Sequence, residues 1–161
     1  MRGDVEGLLT AVQIAAEVHS EQLDKGGQPY LFHVLRVGMG LLPNLNAAQA
    51  GILHDVLEDS SVGRRADLEE RIGCSCGPVV LDAVRHLTRA PGEPYMNYIH
   101  RVAKAGGSAG EVARRVKVED LRDNLRPERL ADAQAAGASV GPLIVRYQGA
   151  LEYLSLRSVR D

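Results

Sequence analysis

The chain has 161 residues, with 45% hydrophobic and 25% charged content, which suits one globular domain with its own core. A formal net charge of −2 excludes a global basic field for nucleic acid or for an acidic membrane surface. Aromatic residues make up 4% of the chain and tryptophan is absent, which argues against a base-stacking surface and against a strand-rich core.

The sequence contains no segment that is long and apolar enough to span a bilayer, and its first residues lack the pattern of a signal peptide. Cys74 and Cys76 are too few for a structural zinc site and too close for an unstrained disulfide. We therefore expect reduced cysteines and a cytoplasmic location. We also expect no membrane or nucleic-acid partner, and a monomer or a small homo-oligomer.

Helical spacing of apolar residues, interrupted by Gly, Pro and Asn, predicts an all-α bundle. The predicted helices cover residues 5–22, 31–42, a segment from about 47 with Asn46 as N-cap, 67–72, 78–89, 95–105, 111–125 and 141–157. The segment 105–110 is expected to be a flexible connection, and 131–138 stays undecided between helix and loop. We expect one domain over residues 1–161, with a motif-bearing core over about 10–130 and a helical extension over about 131–161.

The segment 52–59 carries an unusual polar face. At about 100° per residue its apolar side chains form one arc, while the other arc holds one imidazole and three carboxylates. That polar set consists of His54, Asp55, Glu58 and Asp59. Like charges one turn apart repel, so the face predicts a bound cation, and the imidazole favours a divalent metal with nitrogen and oxygen ligands. The alternative is an acidic exposed face with one incidental histidine.

His33 and Asp120 extend this pattern to one His, then a His-Asp pair, then a distant Asp. Three helices of a bundle can bring these four side chains together, and the set suits Mn²⁺, Fe²⁺ or Mg²⁺ better than structural zinc. Taken alone, His33 reads better as a core or surface histidine, and Asp120 reads better as the i,i+3 partner of Lys117. The remaining histidines lack such partners and are expected in structural or surface roles: His19, His86 and His100.

Four ordered motifs carry a resemblance to a known family. They are QPYLFH at 28–33, ILHDVLED at 52–59, LTR at 87–89 and VKVEDLRDNL at 116–125. Together they resemble the HD superfamily of metal-dependent phosphohydrolases, which has an all-α fold. Within it they look like the hydrolase domain of RelA/SpoT-type proteins and the stand-alone small alarmone hydrolases. In those relatives the reaction removes pyrophosphate from the 3′ position of guanosine tetra- or pentaphosphate.

The resemblance implies a role for particular residues. It implies a metal site, usually for Mn²⁺ and otherwise for Fe²⁺, Mg²⁺ or Co²⁺, formed by His33, His54, Asp55 and Asp120. It implies that Glu58 and Asp59 are catalytic and orient or activate the attacking water. It implies a pocket for a small nucleotide substrate, lined by Lys25, Tyr30, Arg89, Lys117 and Asn124.

Three positions depart from the family's pattern. Val34 stands where the family usually has Pro, and Leu121 stands where a basic residue often follows the last metal aspartate. Asp24 stands where the hydrolases commonly carry an Arg that helps to hold guanine, and a carboxylate there disfavours nearby phosphate. A phosphohydrolase acting on another nucleotide therefore stays open, as does a non-catalytic nucleotide sensor that contains a metal. The presence of Glu58 and Asp59 disfavours the sensor, because binding needs no water activator.

Overall fold

The structure is a computed structural model that describes residues 2–157, with side chains described over 5–156. The described chain forms ten helices and no strand, and one isolated antiparallel bridge joins Leu23 to Pro29. The all-α prediction is therefore confirmed. The helices are α1 (Arg2–Val18), α2 (Tyr30–Gly40), α3 (Leu45–Leu53), α4 (Val56–Asp59), α5 (Val62–Cys76), α6 (Pro78–Leu87), α7 (Tyr95–Lys104), α8 (Gly107–Asn124), α9 (Pro127–Ala135) and α10 (Val140–Arg157). Among the described helices, none has the length and apolar character needed to cross a membrane.

Local sequence explains two of the helix starts. The Asn44 side chain caps α3, since it accepts a hydrogen bond from the Ala47 N–H at 3.0 Å. The cap predicted at Asn46 is wrong, because Asn46 already lies in the first turn of the helix. Helix α6 begins at Pro78, directly after Gly77 with a φ of 86°, a combination that Gly and Pro make favourable.

Helices α5, α8 and α9 extend beyond the predicted apolar periodicity. Helix α5 was expected only over 67–72, and it buries Leu68 and Ile72 while its polar flanks continue the helix on both sides. Helix α8 begins at Gly107, so most of the expected connection at 105–110 is helical. The undecided stretch at 131–138 is mostly α9. Helical turns that face solvent on all sides carry no apolar periodicity. A prediction from apolar spacing therefore makes such helices too short.

The segment 52–59 is not one continuous helix. His54 and Asp55 form a turn between α3 and α4, with φ and ψ of −59° and −29° for His54 and −103° and −6° for Asp55. Both residues stay close to helical geometry, so the apolar arc still faces the core, as predicted. All four of its side chains are buried: Ile52, Leu53, Val56 and Leu57. His54 is also buried, which an exposed acidic face would not require.

Helix α3 lies at the centre of the molecule. Every residue from Ala47 to Leu53 is buried, and the helix packs against α1, α2, α6 and α8. Two glycines bring α2 and α3 close together. A Cβ at Gly38 would lie 2.5 Å from Ile52 Cγ1, and a Cβ at Gly51 would lie 3.0 Å from Gly38 Cα. Further along the same pair of helices, His33 in the first turn of α2 lies beside His54 just after α3, with ring centroids 5.3 Å apart.

A methyl group at Gly38 should therefore disturb the α2–α3 contact. We expect Gly38→Ala to lower the free energy of unfolding by about 1–3 kcal/mol, the usual cost of overpacking a core. Urea denaturation followed by circular dichroism would measure the change. Gly63→Ala is the matched control, because a Cβ there meets nothing within 4 Å, so we expect no loss and a gain of up to ~1 kcal/mol. Equal losses in the two variants would contradict the assignment.

Candidate metal centre and adjoining cavity

Three parts of the fold bring the four predicted ligands together. His33 lies on α2, His54 and Asp55 form the turn after α3, and Asp120 lies on α8. One ligand atom from each of the first three residues lies within 4.8 Å of the others. Asp120 joins them through its Oδ1 atom, which lies 3.2 Å from His33 Nε2 and 3.6 Å from His54 Nε2. His33 and Asp120, 87 positions apart in sequence, therefore belong to one cluster, which we call the metal centre.

Hydrogen bonds orient both imidazoles toward this centre. His54 Nδ1 lies 2.7 Å from Gly51 O, so Nδ1 carries a proton and donates it to the carbonyl. His33 Nδ1 lies 2.7 Å from Asp123 Oδ2. In both rings Nε2 is therefore the atom turned toward the centre. Histidines that ligate metals are typically held in this way, by a carbonyl or a carboxylate on the other ring nitrogen.

The donor set fits a divalent cation. His54 Nε2 is buried and has no hydrogen-bond partner among the described residues. It lies 3.0 Å from Asp55 Oδ2 and 3.6 Å from Asp120 Oδ1, but it meets neither oxygen in hydrogen-bonding geometry. Buried polar atoms rarely stay unpaired, and an imidazole nitrogen facing two carboxylates offers the mixed ligands that Mn²⁺, Fe²⁺ and similar ions accept.

Burial and charge shift the pKa values within the centre. Burial alone would lower the pKa of His54, but the carboxylates of Asp55 and Asp120 hold it well above its ordinary value. Burial opposes ionisation of Asp120, yet Lys117 Nζ at 2.7 Å and the two imidazoles hold the pKa of this carboxyl well below its usual range. A metal ion must therefore displace a proton from His54, while it finds the carboxylates already ionised.

Three of the predicted pocket residues touch the metal ligands. The Tyr30 hydroxyl donates to Asp55 Oδ2 at 2.5 Å, and burial raises the pKa of this tyrosine, which keeps it a donor. The Asn124 amide donates to Asp120 Oδ1 at 2.5 Å, and Lys117 donates to Asp120 Oδ2. These side chains hold the ligand carboxylates in place, whatever else they contact.

The two predicted catalytic acids lie one turn beyond Asp55. Glu58 Oε2 accepts a hydrogen bond from the Arg89 backbone N–H at 3.0 Å, and Asp59 Oδ2 accepts one from Gln22 Nε2 at 2.9 Å. Burial raises the pKa of both carboxyls. Of the two, Glu58 also lines the cavity that adjoins the metal centre.

That cavity has a volume of about 380 Å³. Two of the predicted metal ligands, Asp55 and Asp120, form part of its wall. All five predicted substrate-binding residues line it: Lys25, Tyr30, Arg89, Lys117 and Asn124. The structure therefore brings these residues to one place, and their contact with a substrate stays a prediction.

Several residues of the site are absent from the sequence prediction. Asp123 orients His33, and it is itself bound by Arg36 Nε at 2.7 Å and by Arg129 Nη1 at 2.6 Å. Burial opposes its ionisation, but His33 and Arg36 lower its pKa below the usual range. Asp123 lies one turn after Asp120 in the same motif, and that i,i+3 spacing could have indicated it. Arg146 lies in the cavity wall with its guanidinium 4.8 Å from the Tyr95 ring and 5.2 Å from the Tyr147 ring.

Asp24 has a local role that its sequence position did not indicate. Its Oδ1 accepts hydrogen bonds from the backbone N–H groups of Gly26 at 2.9 Å and Gln28 at 3.0 Å, which closes the loop. Its Oδ2 lies 3.3 Å from Arg129 Nη2. Arg129, on α9, therefore lies beside Asp24 in the cavity wall, and its positive charge offsets the negative charge of Asp24.

Together, the fold and the site define an all-helical protein in which three segments present a buried His/Asp cluster to a cavity lined by basic residues. Against known proteins, no family model matches the chain. The chain is 34% identical over 68 residues to a guanosine-3′,5′-bis(diphosphate) 3′-pyrophosphohydrolase of Borreliella burgdorferi, which covers 40% of this chain and 10% of that protein. It is 33% identical over 88 residues to the protein of the same name from Vibrio cholerae, covering 53% of this chain and 12% of that protein.

A GTP pyrophosphokinase of Myxococcus xanthus is 36% identical over 90 residues, again covering 53% of this chain and 12% of that protein. The chain thus matches only about a tenth of the length of these curated relatives. The fold is similar to a solved structure of a metazoan ortholog of SpoT that hydrolyzes ppGpp, with a TM-score of 0.57 and 23% identity, covering 94% of this chain and 90% of that one. Sequence and fold both agree with the resemblance to RelA/SpoT-type HD hydrolases.

The carboxylate behind His33 should strengthen metal binding. We expect Asp123→Asn to weaken Mn²⁺ affinity by about 10- to 100-fold, the usual effect of losing such a partner of a ligating histidine. Isothermal titration calorimetry would measure the dissociation constant. Glu119→Gln is the control, since Glu119 lies next to Asp120 on α8 but pairs with Arg122. Unchanged affinity in Asp123→Asn would show that Asp123 does not support the metal centre.

Metal binding should also release protons, because the pKa of His54 is raised and a metal takes the deprotonated imidazole. Below that raised pKa we expect Mn²⁺ affinity to fall by about tenfold per pH unit, and above it to level off. Calorimetry in two buffers with different ionisation enthalpies would count the released protons. We expect about one proton per metal at neutral pH. No release, with affinity independent of pH, would contradict the ligand role of His54.

Proposed function

We propose that this protein is a metal-dependent phosphohydrolase of the HD type that removes pyrophosphate from the 3′ position of guanosine tetra- or pentaphosphate. The observation that carries the proposal is the metal centre beside a cavity lined by basic residues, with a carboxylate pair one turn from Asp55. The two relatives named as 3′-pyrophosphohydrolases support the choice of substrate. Because the chain matches only part of those relatives, the activity and substrate remain proposals for this chain.

His33, His54, Asp55 and Asp120 would hold the divalent cation, for which we propose Mn²⁺, with Fe²⁺, Mg²⁺ and Co²⁺ as further candidates. Two carboxylates are hard ligands and two imidazoles are borderline ligands, and these ions accept both kinds. When bound, such a cation supplies charge stabilisation to a phosphate oxygen and lowers the pKa of a water molecule that it coordinates.

Glu58 and Asp59 would orient the attacking water and accept its proton. Both lie one turn beyond Asp55, and burial raises the pKa of both carboxyls toward the range in which a base works well near neutral pH. The Arg89 N–H binds one oxygen of Glu58 and restricts the rotation of that carboxylate. One oxygen of each acid is thus held by a donor from another segment, the Arg89 N–H for Glu58 and the Gln22 amide for Asp59.

The cations of the cavity would divide into two groups. Lys117 and Arg129 are paired with acids of the site, so they chiefly neutralise carboxylates. Within the described part of the chain, Lys25 and Arg146 have no carboxylate partner, and both line the cavity. Lys25 and Arg146 would therefore stabilise the phosphate charge of the substrate. Arg89 would join them, since its guanidinium is partly exposed and only loosely paired, 4.0 Å from Glu58.

Asp24 is the observation that favours a second candidate, a phosphohydrolase of the same type acting on another nucleotide. Its pairing with Arg129 reduces the charge penalty but does not supply the base-holding arginine. A non-catalytic nucleotide sensor fits less well, because both water-handling acids are present. The single-domain assignment over 1–161, the cytoplasmic location, the absence of a nucleic-acid partner and the monomeric or small homo-oligomeric state stay predictions.

The direct test is hydrolysis of guanosine tetraphosphate by the Mn²⁺-loaded protein, with the products separated by ion-exchange chromatography. We expect pyrophosphate and GDP, and slower turnover of deoxynucleoside monophosphates.

Substitution of the proposed base, Glu58→Gln, should lower kcat by about 10²- to 10⁴-fold without loss of bound metal. Glu128→Gln, at a side chain that is 73% exposed, serves as the control. Full turnover in Glu58→Gln, or no turnover of guanosine tetraphosphate by the metal-loaded wild type, would overturn the proposal.

A further inference from the structure

A buried histidine outside the metal centre is connected to one of the proposed catalytic acids. His19 directly follows α1, and its side chain is 0% exposed. Its Nδ1 atom lies 2.6 Å from Gln22 Oε1, and Gln22 Nε2 donates to Asp59 Oδ2 at 2.9 Å. The Asp59 side chain, at the far end, is 31% exposed. A chain of two hydrogen bonds thus runs from the protein interior to the edge of the candidate active site.

The direction of these hydrogen bonds follows from the chemistry of the three groups. With Asp59 ionised, its oxygen needs a donor, so the Gln22 amide must turn its N–H₂ to Asp59 and its oxygen to His19. His19 Nδ1 then carries the proton. The other ring nitrogen, Nε2, is buried and has no hydrogen-bond partner among the described residues, and an unpaired acceptor is tolerated there more readily than an unpaired N–H. The buried ring therefore favours the one arrangement in which Gln22 donates to Asp59.

The backbone around Gln22 gives this arrangement a rigid base. Gln22 O accepts a hydrogen bond from the Tyr30 N–H at 2.9 Å, and the bridge between Leu23 and Pro29 closes the same loop. The Tyr30 hydroxyl, from the other end of this loop, binds Asp55. The two ends of one loop thus hold two carboxylates that lie four residues apart, one a predicted metal ligand and the other a predicted water-handling group.

We infer that His19 and Gln22 are positioning residues that hold the Asp59 carboxylate as an oriented acceptor beside the metal centre. The inference rests on the proposed function, in which Asp59 handles the attacking water. Gln22 is the neutral side chain that binds Asp59 directly, while His19 fixes the Gln22 amide from the protein interior. The other charged or titratable groups that act on Asp59 are Asp55 and His54, both from the turn that precedes α4.

The kinetic test compares three variants with Mn²⁺ and guanosine tetraphosphate. Gln22→Ala should lower kcat by about tenfold or more, as expected for a lost hydrogen bond to a charged group, and leave KM and bound metal unchanged. Gln22→Glu has nearly the same shape but cannot donate to Asp59, so it should be impaired at least as much. Gln28→Ala, in the same loop with an exposed side chain, is the matched control and should match the wild type.

A double-mutant cycle separates positioning from general destabilisation. If Gln22 acts through Asp59, then Gln22→Ala should change kcat by less than about twofold in an Asp59→Ala background. Equal effects of Gln22→Ala in both backgrounds, or wild-type kcat in Gln22→Glu, would overturn the inference.

Nuclear magnetic resonance gives a readout that does not need turnover. The Gln22 side-chain amide should shift in Asp59→Ala, and ¹⁵N spectra should show His19 protonated at Nδ1 in the wild type. If the metal-loaded wild type fails to hydrolyse guanosine tetraphosphate, the proposed function fails, and these signals alone decide whether His19 and Gln22 hold Asp59. An unchanged Gln22 amide, or a proton on His19 Nε2 alone, would overturn the pairing.

Discussion

Helix α8 carries two carboxylates one turn apart, Asp120 and Asp123, that are only 3% and 4% exposed. Burying two like charges together is costly unless each is paired and hydrogen-bonded. His33 lies between them, with Nε2 3.2 Å from Asp120 and Nδ1 2.7 Å from Asp123. Lys117 neutralises the first carboxylate, and two arginines bind the second. These pairings connect α2 and α9 to α8 at the site and compensate both buried charges.

The same electrostatic connections link the metal centre to the wall of the cavity. Arg129 binds Asp123 behind His33, and its other nitrogen reaches Asp24 in the loop before α2. One guanidinium, that of Arg129, therefore contacts both the carboxylate behind a predicted metal ligand and the carboxylate in the cavity wall. Substitution of Arg129 would therefore remove a partner from Asp123 and from Asp24 at once.

Much of the site could be predicted from the sequence because helical spacing is local. The common face of His54, Asp55, Glu58 and Asp59 follows from their separations alone, and the same holds for Lys117, Asp120 and Asn124 on α8. The turn at His54 and Asp55 was not predictable, because their backbone dihedrals stay close to helical values and no Gly or Pro marks the position. Asn44 was missed as a cap because Asn46 offers the same chemistry two residues later.

The sequence by itself determined the helical class, because that class depends on residue identity and on local spacing. It also singled out the predicted ligand set and the pair of acids beside it, through the residue types in its ordered motifs. Only the tertiary structure decided which distant side chains pair with the acids of the site. Arg129 contacts Asp24 across 105 positions, and Gln22 contacts Asp59 across 37. Arg129 also contacts Asp123, which lies only six residues away. The two long-range contacts depend on how the loop between α1 and α2 packs against α4 and α9, and no local periodicity encodes that packing.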